Sequence, residues 1–321
     1  MQPETEQILG TLQVIVEPYL TVDLPGHENG GTIVPFVWDV SEQGEFNVIN
    51  LCLANGWLQL TDVDKRIRSW QKMEYAKSFY DFYLGVEEEN LRKNIFEYLL
   101  QFLHINLQDL EAFLQDLESF SSMPYSCSRG VVLPGLVIGR TTDGTWICIC
   151  PTVYKETAIP QELIYRSPLS QSTSSQLFAE NTLNLISQLE AITSELGIIS
   201  LEGDLGGGYY YNYDHQIVYD VAVSKELAFE QAFQKAGILE LKQFHSLYQD
   251  KNYLGEYYEG YKLEKVFAKY EQINNFFKQT FSEVIMYRFS FFTQEHIYII
   301  GQNNPGDRVG LYLNSEFVYN P

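Results

Sequence analysis

The chain says the same thing twice. Residues 136–154, LVIGRTTDGTWICICPTVY, and residues 298–319, YIIGQNNPGDRVGLYLNSEFVY, set Ile138-Gly139 against Ile300-Gly301 and Gly144 against Gly306, all at one offset of 162. Each copy is an apolar strand, a polar turn carrying Gly, then a second alternating strand. Each follows a long amphipathic stretch, residues 86–118 in one copy and 257–283 in the other. Duplicated supersecondary units share a fold and bury equivalent faces. A chain of 321 residues also has room for two ordinary domains. The expectation is therefore two tandem domains: 1–157, a linker over 158–179, and 180–321.

The order within each copy supports this. The second copy restarts with TLNLISQLEAITSELG (182–197), which places Leu185, Leu189 and Ile192 on one helical face and stops at Gly197. A turn cluster, DLPGHENGG (23–31), precedes the strand TIVPFVWDV (32–40) in the first copy. In the second, IISLEGDLGGGYYYNYD (198–214) parallels it, followed by the strand QIVYDVAV (216–223). KELAFEQAFQKAG (225–237) reads as a short helix ending at Gly237, and ILELKQFHSLY (238–248) parallels WLQLTDVDKRI (57–67). FNVINLCLANGWLQL (46–60) is a strand or helix, a turn at Asn55-Gly56, then a strand. Thr61-Asp62 forms a helix cap. The stretch from 86 opens with Glu87-Glu88-Glu89, which complements a helix dipole, and carries Leu91, Ile95, Leu99, Phe102 and Leu103 at helical spacing. Strands and helices segregated in this way indicate an α+β fold rather than βαβ units. The linker assignment rests on AIPQELIYRSPLSQSTSSQ (158–176), rich in Ser, Thr, Gln and Pro.

Composition excludes several classes. Forty-two acids against 21 bases give a net charge of −21. Such a surface repels nucleic acid and anionic membranes and attracts basic proteins; it also serves plain solubility. Hydrophobic residues at 45% and aromatics at 15% argue against disorder. The aromatics suit half-buried strand positions, and Tyr also suits interfaces. No apolar run approaches the roughly 20 residues of a membrane span. MQPETEQILG lacks the basic and apolar regions of a secretory signal. Cys52, Cys127, Cys148 and Cys150 show no framework spacing, so a reduced, cytoplasmic protein is expected.

The chemistry-bearing residues are sparse. His27, His104, His215, His245 and His296 lie far apart, none with a His or Cys at ligand spacing, so structural or surface roles are expected. Cys148 and Cys150 share one face of a strand and read as small buried hydrophobes. Gly206-Gly207-Gly208 precedes a strand and no Gly-Lys-Ser/Thr follows, so a hairpin turn is expected rather than a phosphate cradle. Gly-x-Ser-x-Gly is absent. No cofactor, metal or catalytic residue is assigned, and the chain is expected not to be an enzyme. The acids of the two turns remain: Asp23 and Glu28 in one copy, Glu202 and Asp204 in the other. Turns of Gly and carboxylates present acids to a basic surface or to a partner's metal ion; the same residues also suit an ordinary solvated turn.

Several stretches resemble the nuclease A inhibitor family. VIGRTTDGTWICICPTVYKET (137–157) is similar to that family's ending, DFYLGVEEENLRKNIFEYL (81–99) to the opening of its long helix, LEAITSELGIISLEGD (189–204) to its first helix and acidic turn, and TIVPFVWDV (32–40) to its Phe-x-Val-Phe-x-Trp strand. The resemblance implies α/β-sandwich domains that block a nonspecific, metal-dependent nuclease by setting a carboxylate near its magnesium. That role falls by position on Glu202; the first copy offers Asp23 in a lengthened turn. The family's closing Glu-Thr corresponds to Glu156 and Thr157, which here are internal, and the second copy ends Tyr319-Asn320-Pro321 instead. Three functions stay open: an acidic inhibitor of a basic nuclease, an adaptor or chaperone-like protein using the same scaffold on another protein partner, and an enzyme with an unseen carboxylate site.

Overall fold

The computed structural model describes residues 1–18, 20–22, 31–74, 84–115, 135–153, 164–169, 178–206, 209–248, 251–255, 258–291, 294–302 and 306–316. In chain order the elements are α1 (Pro3–Val16), β1 (Leu20–Val22), β2 (Gly31–Trp38), α2 (Val40–Gln43), α3 (Val48–Ala54), β3 (Leu58–Thr61), α4 (Val63–Glu74), α5 (Val86–Asn106), β4 (Gln108–Gln115), β5 (Leu136–Arg140) and β6 (Trp146–Pro151). Then follow β7 (Ile164–Pro168), α6 (Glu180–Leu196), β8 (Ile199–Gly206), β9 (Tyr209–His215), β10 (Ile217–Ala222), α7 (Lys225–Lys235), β11 (Leu239–Leu247), α8 (Lys251–Leu254), α9 (Gly260–Thr280), β12 (Val284–Phe291), β13 (Gln294–Gln302) and β14 (Arg308–Glu316).

The helices follow their apolar spacing. In α1, Thr5, Ile8, Leu12 and Val16 are buried on one stripe, with Pro3 at the first turn. In α6 the stripe is Leu185, Leu189, Ile192 and Leu196, and Gly197 ends it at φ 64. The Asp62 carboxylate accepts from Lys65 N at 2.9 Å and caps α4 as expected. Asn47 and Ser224 cap α3 and α7 in the same way, accepting from Asn50 N and Leu227 N. The long helix was expected over 86–118, but α5 stops at Asn106. Leu107 turns extended (φ −115, ψ 144), Asp109 takes a positive φ of 50, and the alternating residues beyond become β4. The three- and four-residue spacing simply gives way to a period of two at that point.

Among the described residues all strand pairs are antiparallel, and the fold is mixed α+β. One sheet has seven strands in the order β1-β2-β14-β13-β12-β11-β7. A second has five, β10-β6-β5-β4-β3, and β8 and β9 form a two-stranded ribbon. The chain divides into two compact units, one of Met1–Phe46, Lys155–Ser172 and Leu239–Pro321, the other of Asn47–Tyr154 and Thr173–Ile238. Within the first, α1 and α9 cover one face of the seven-stranded sheet. Leu12, Val16, Ile33, Ile273, Phe277, Ile299 and Leu311 are among the residues of that core. Within the second, α4, α5 and α6 bury Trp70, Phe96, Leu99, Leu189 and Ile192 against Val137, Ile147 and Ile149 of the five-stranded sheet.

The tandem boundary expected at 157/180 is corrected by this division. Each unit draws on both halves of the sequence. The last strand of each half finds its neighbour in the other: β14 pairs with β2, Leu313 opposite Ile33, and β6 pairs with β10, Ile149 opposite Tyr219. The expected linker is corrected too. Residues 164–168 form β7, the edge strand of the seven-stranded sheet, with Gln243 opposite Ser167. A Ser/Pro-rich composition does not stop a short Ile-Tyr-Arg-Ser run from pairing at an edge, where Pro168 is tolerated.

Candidate functional site

The ribbon carries the acids expected to meet a partner. β8 and β9 pair with each other and with no third strand among those described. Glu202 lies opposite Asn212 and Asp204 opposite Tyr210, with a register shift between Asp204 and Gly206. β8 ends at Gly206 and β9 begins at Tyr209, so the glycine run joins two strands, as expected of a hairpin. Eight residues at strand rise give the ribbon a length of about 25 Å.

The root of the ribbon is fixed to its unit. Ile199, His215 and Ile217 are buried there. Thr152, at the end of β6, donates to the Asp214 carbonyl at 2.9 Å and accepts from Gln216 N at 2.9 Å. Ser200 Oγ donates to the Asp214 carboxylate at 2.9 Å. The Thr152 hydrogen bonds tie the root of the ribbon to the end of β6. Of the other expected contact residues, Asp23, Glu28, Glu156 and Thr157 lie outside the described residues.

Two further acids hold turns rather than face a partner. Asp143, in the β5–β6 turn, accepts from Thr182 Oγ1 at 2.5 Å and from Thr141 Oγ1. The Thr141 and Thr182 hydroxyls hold its carboxyl down to about 2. Asp307, before β14, accepts from Thr5 Oγ1 at 2.7 Å and from Val40 N at 3.1 Å. Sequence reading passed over both, although each stands next to a repeated glycine, Gly144 or Gly306. Asp39 is likewise held to about 2, by the Met1 amine 2.5 Å away and by Ser41.

Buried charge lies at one end of the seven-stranded sheet. Arg288 Nε donates to Glu295 Oε1 at 2.8 Å, and Glu240 Oε2 lies 3.5 Å from both Arg288 and Arg166. Glu295 is 1% exposed, so its charge is sustained by the guanidinium. His296 Nδ1 sits 2.7 Å from Tyr312 Oη, and burial lowers the imidazole to about 4 while pushing the phenol up to about 12. Neutral partners therefore share this hydrogen bond near pH 7. Cys148 and Cys150 are fully buried, and burial pushes both thiols up, as befits small core hydrophobes.

Two clefts open in the first unit and meet at Ser282 and Glu283. One, of about 510 Å³, runs along β7, β11 and the end of α9, with Tyr165, His245, Lys278 and Phe281 in its wall. The His245 of its wall has Nε2 2.8 Å from Ser167 Oγ, and the Tyr165 ring packs on the imidazole at 5.0 Å. The other, of about 400 Å³, is lined by Glu4, Tyr287 and Arg308 among others. The strongly shifted histidine, His296, lines neither.

Among the described residues no three His, Cys, Asp or Glu side chains converge as metal ligands, and no helix is long and apolar enough to cross a membrane. No family model, curated protein or solved structure matches this chain.

Proposed function

We propose that the chain is an acidic protein-binding module that captures a basic protein partner through the β8–β9 ribbon, with no chemistry of its own. The observation that carries this is the ribbon itself: a hairpin holding Glu202 and Asp204 two positions apart in a paired strand, rooted in a folded unit, in a chain of net charge −21. Opposite charge steers encounter and sets which partners are accepted. The resemblance to nuclease A inhibitors narrows the partner to a nonspecific, magnesium-dependent nuclease, with Glu202 as the carboxylate directed at its metal.

The test is nuclease activity titrated with the wild-type chain and with Glu202→Gln, which removes charge and keeps shape. Truncating one partner of a buried charged contact costs about 2–5 kcal/mol, roughly 30- to several-thousand-fold in affinity. Inhibition should weaken by that factor, and association should slow as salt rises. Inhibition unchanged by Glu202→Gln removes this carboxylate from the interface. Binding without inhibition favours an adaptor that uses the same scaffold.

A further inference from the structure

The interleaving has a regular form. Each half of the chain opens with a helix and two or three strands, passes through one or two short helices, one strand and two further helices, and ends with three antiparallel strands. The long helices, α5 and α9, are both 21 residues. The last strand of each half, β6 or β14, takes its outer neighbour, β10 or β2, from the other half. The first helix of each half packs into the core formed by the other's long helix: α1 with α9, α6 with α5. One side-chain bond repeats as well. A buried threonine in the first turn of the incoming helix donates to the aspartate of the receiving turn, Thr5 to Asp307 at 2.7 Å and Thr182 to Asp143 at 2.5 Å.

Three independent contacts are thus made in both directions: strand on edge strand, helix on helix, hydroxyl on carboxylate. That is the contact pattern of an isologous dimer, in which a patch on one subunit meets the same patch on the other, and segment exchange is a low-cost route to such dimers. We infer that the two halves relate as the two subunits of a segment-exchanged dimer fused into one chain. The interaction surface of each half is the outer edge of β6 or β14, and its partner is, respectively, the α6–β10 or the α1–β2 segment of the other half. The connection between β6 and α6 is then a tether. It raises the effective concentration of one half for the other without making the exchange contacts itself, although its β7 adds one more pairing, to β11.

The test uses the full chain with a protease site inserted at Gln171–Ser174, cut after folding. The cut protein should elute as one species containing both fragments. Its thermal midpoint should now fall on dilution, whereas that of the uncut chain stays constant, because only the cut form unfolds by dissociation. A covalent trap reports the pairing directly. Val218 lies opposite Cys150 and Thr32 opposite Asn314. Directly opposed strand residues have Cα separations of about 4.5–5.5 Å, within disulfide range. After oxidation and cutting, Val218→Cys, or Thr32→Cys with Asn314→Cys, should hold the two fragments together on a denaturing gel until reductant is added. Fragments that separate as two folded species under native conditions overturn the inference. So does failure of both cysteine pairs to link the fragments in protein that is folded by circular dichroism.

Discussion

At the scale of single residues, the two threonine–aspartate bonds are alike in chemistry and unlike in surroundings. Thr5 and Thr182 are both fully buried, but Asp307 is 4% exposed while Asp143 is exposed to water. Thr5→Val leaves a buried carboxylate short of one donor, a loss of about 1–3 kcal/mol. Thr182→Val leaves Asp143 free to hydrate and should cost about 1 kcal/mol or less. Urea unfolding of the two variants should rank them in that order; equal losses would show that the environment of the carboxylate does not matter. The sequence marked these sites only through the neighbouring Gly144 and Gly306. The aspartates fall on opposite sides of those glycines, so no column of the repeat aligns them, and their threonine partners lie 39 and 302 positions away.

At the scale of elements, the repeated Ile-Gly is explained by the ends of the long helices. A Cβ on Gly301 would lie 2.2 Å from the Phe281 ring, and one on Gly139 would lie 3.0 Å from Leu107 Cβ and 2.8 Å from Leu110 Cδ2. Phe281 and Leu107 are the residues at which α9 and α5 stop, both in extended conformation. The glycine makes room for the side chain that turns the chain out of the helix and into the sheet. Gly301→Ala should therefore destabilise by about 1–3 kcal/mol, the usual range for overpacking. Gly139→Ala should cost less, because leucine tips yield more readily than a ring. Thermal denaturation of the two variants decides; a Gly301→Ala protein as stable as wild type would refute the packing account. Helices, caps and most strands were legible, since periodicity and capping are local. The end of α5 was not, because nothing in LQDLEAF (107–113) breaks a helix by itself. The break comes from the glycine on a strand more than 30 positions later.

At the scale of the whole molecule, the recurring Ile-Gly and Gly were legible in the sequence, and the division into two units that each draw on separate stretches of the chain was not. Two halves with similar strands offer two similar edges, β6 and β14, and local patterning is indifferent to which segment fills which. Only the longest-range contacts decide, and a single sequence does not display them. Charge is the whole-molecule property that sequence does display. The chain has a pI near 4.5, so its self-repulsion vanishes as pH approaches that value. Asp39 and Asp143 are held to about 2, against about 3.9 for an unstrained aspartate. A carboxylate lowered in the folded state stabilises it above the unfolded value, and that contribution disappears as pH falls through the folded value. These two contributions are therefore intact at pH 4.5 and are lost only between about pH 4 and pH 2. The protein should precipitate near pH 4.5 while still folded, and unfold in a separate, lower transition. Turbidity and far-ultraviolet circular dichroism, followed together through an acid titration, should show two steps in that order. Asp143→Asn should shrink the lower step and leave the turbidity maximum close to its wild-type pH. Loss of the circular dichroism signal together with the turbidity rise would show that other carboxylates, titrating higher, control the acid stability of the fold.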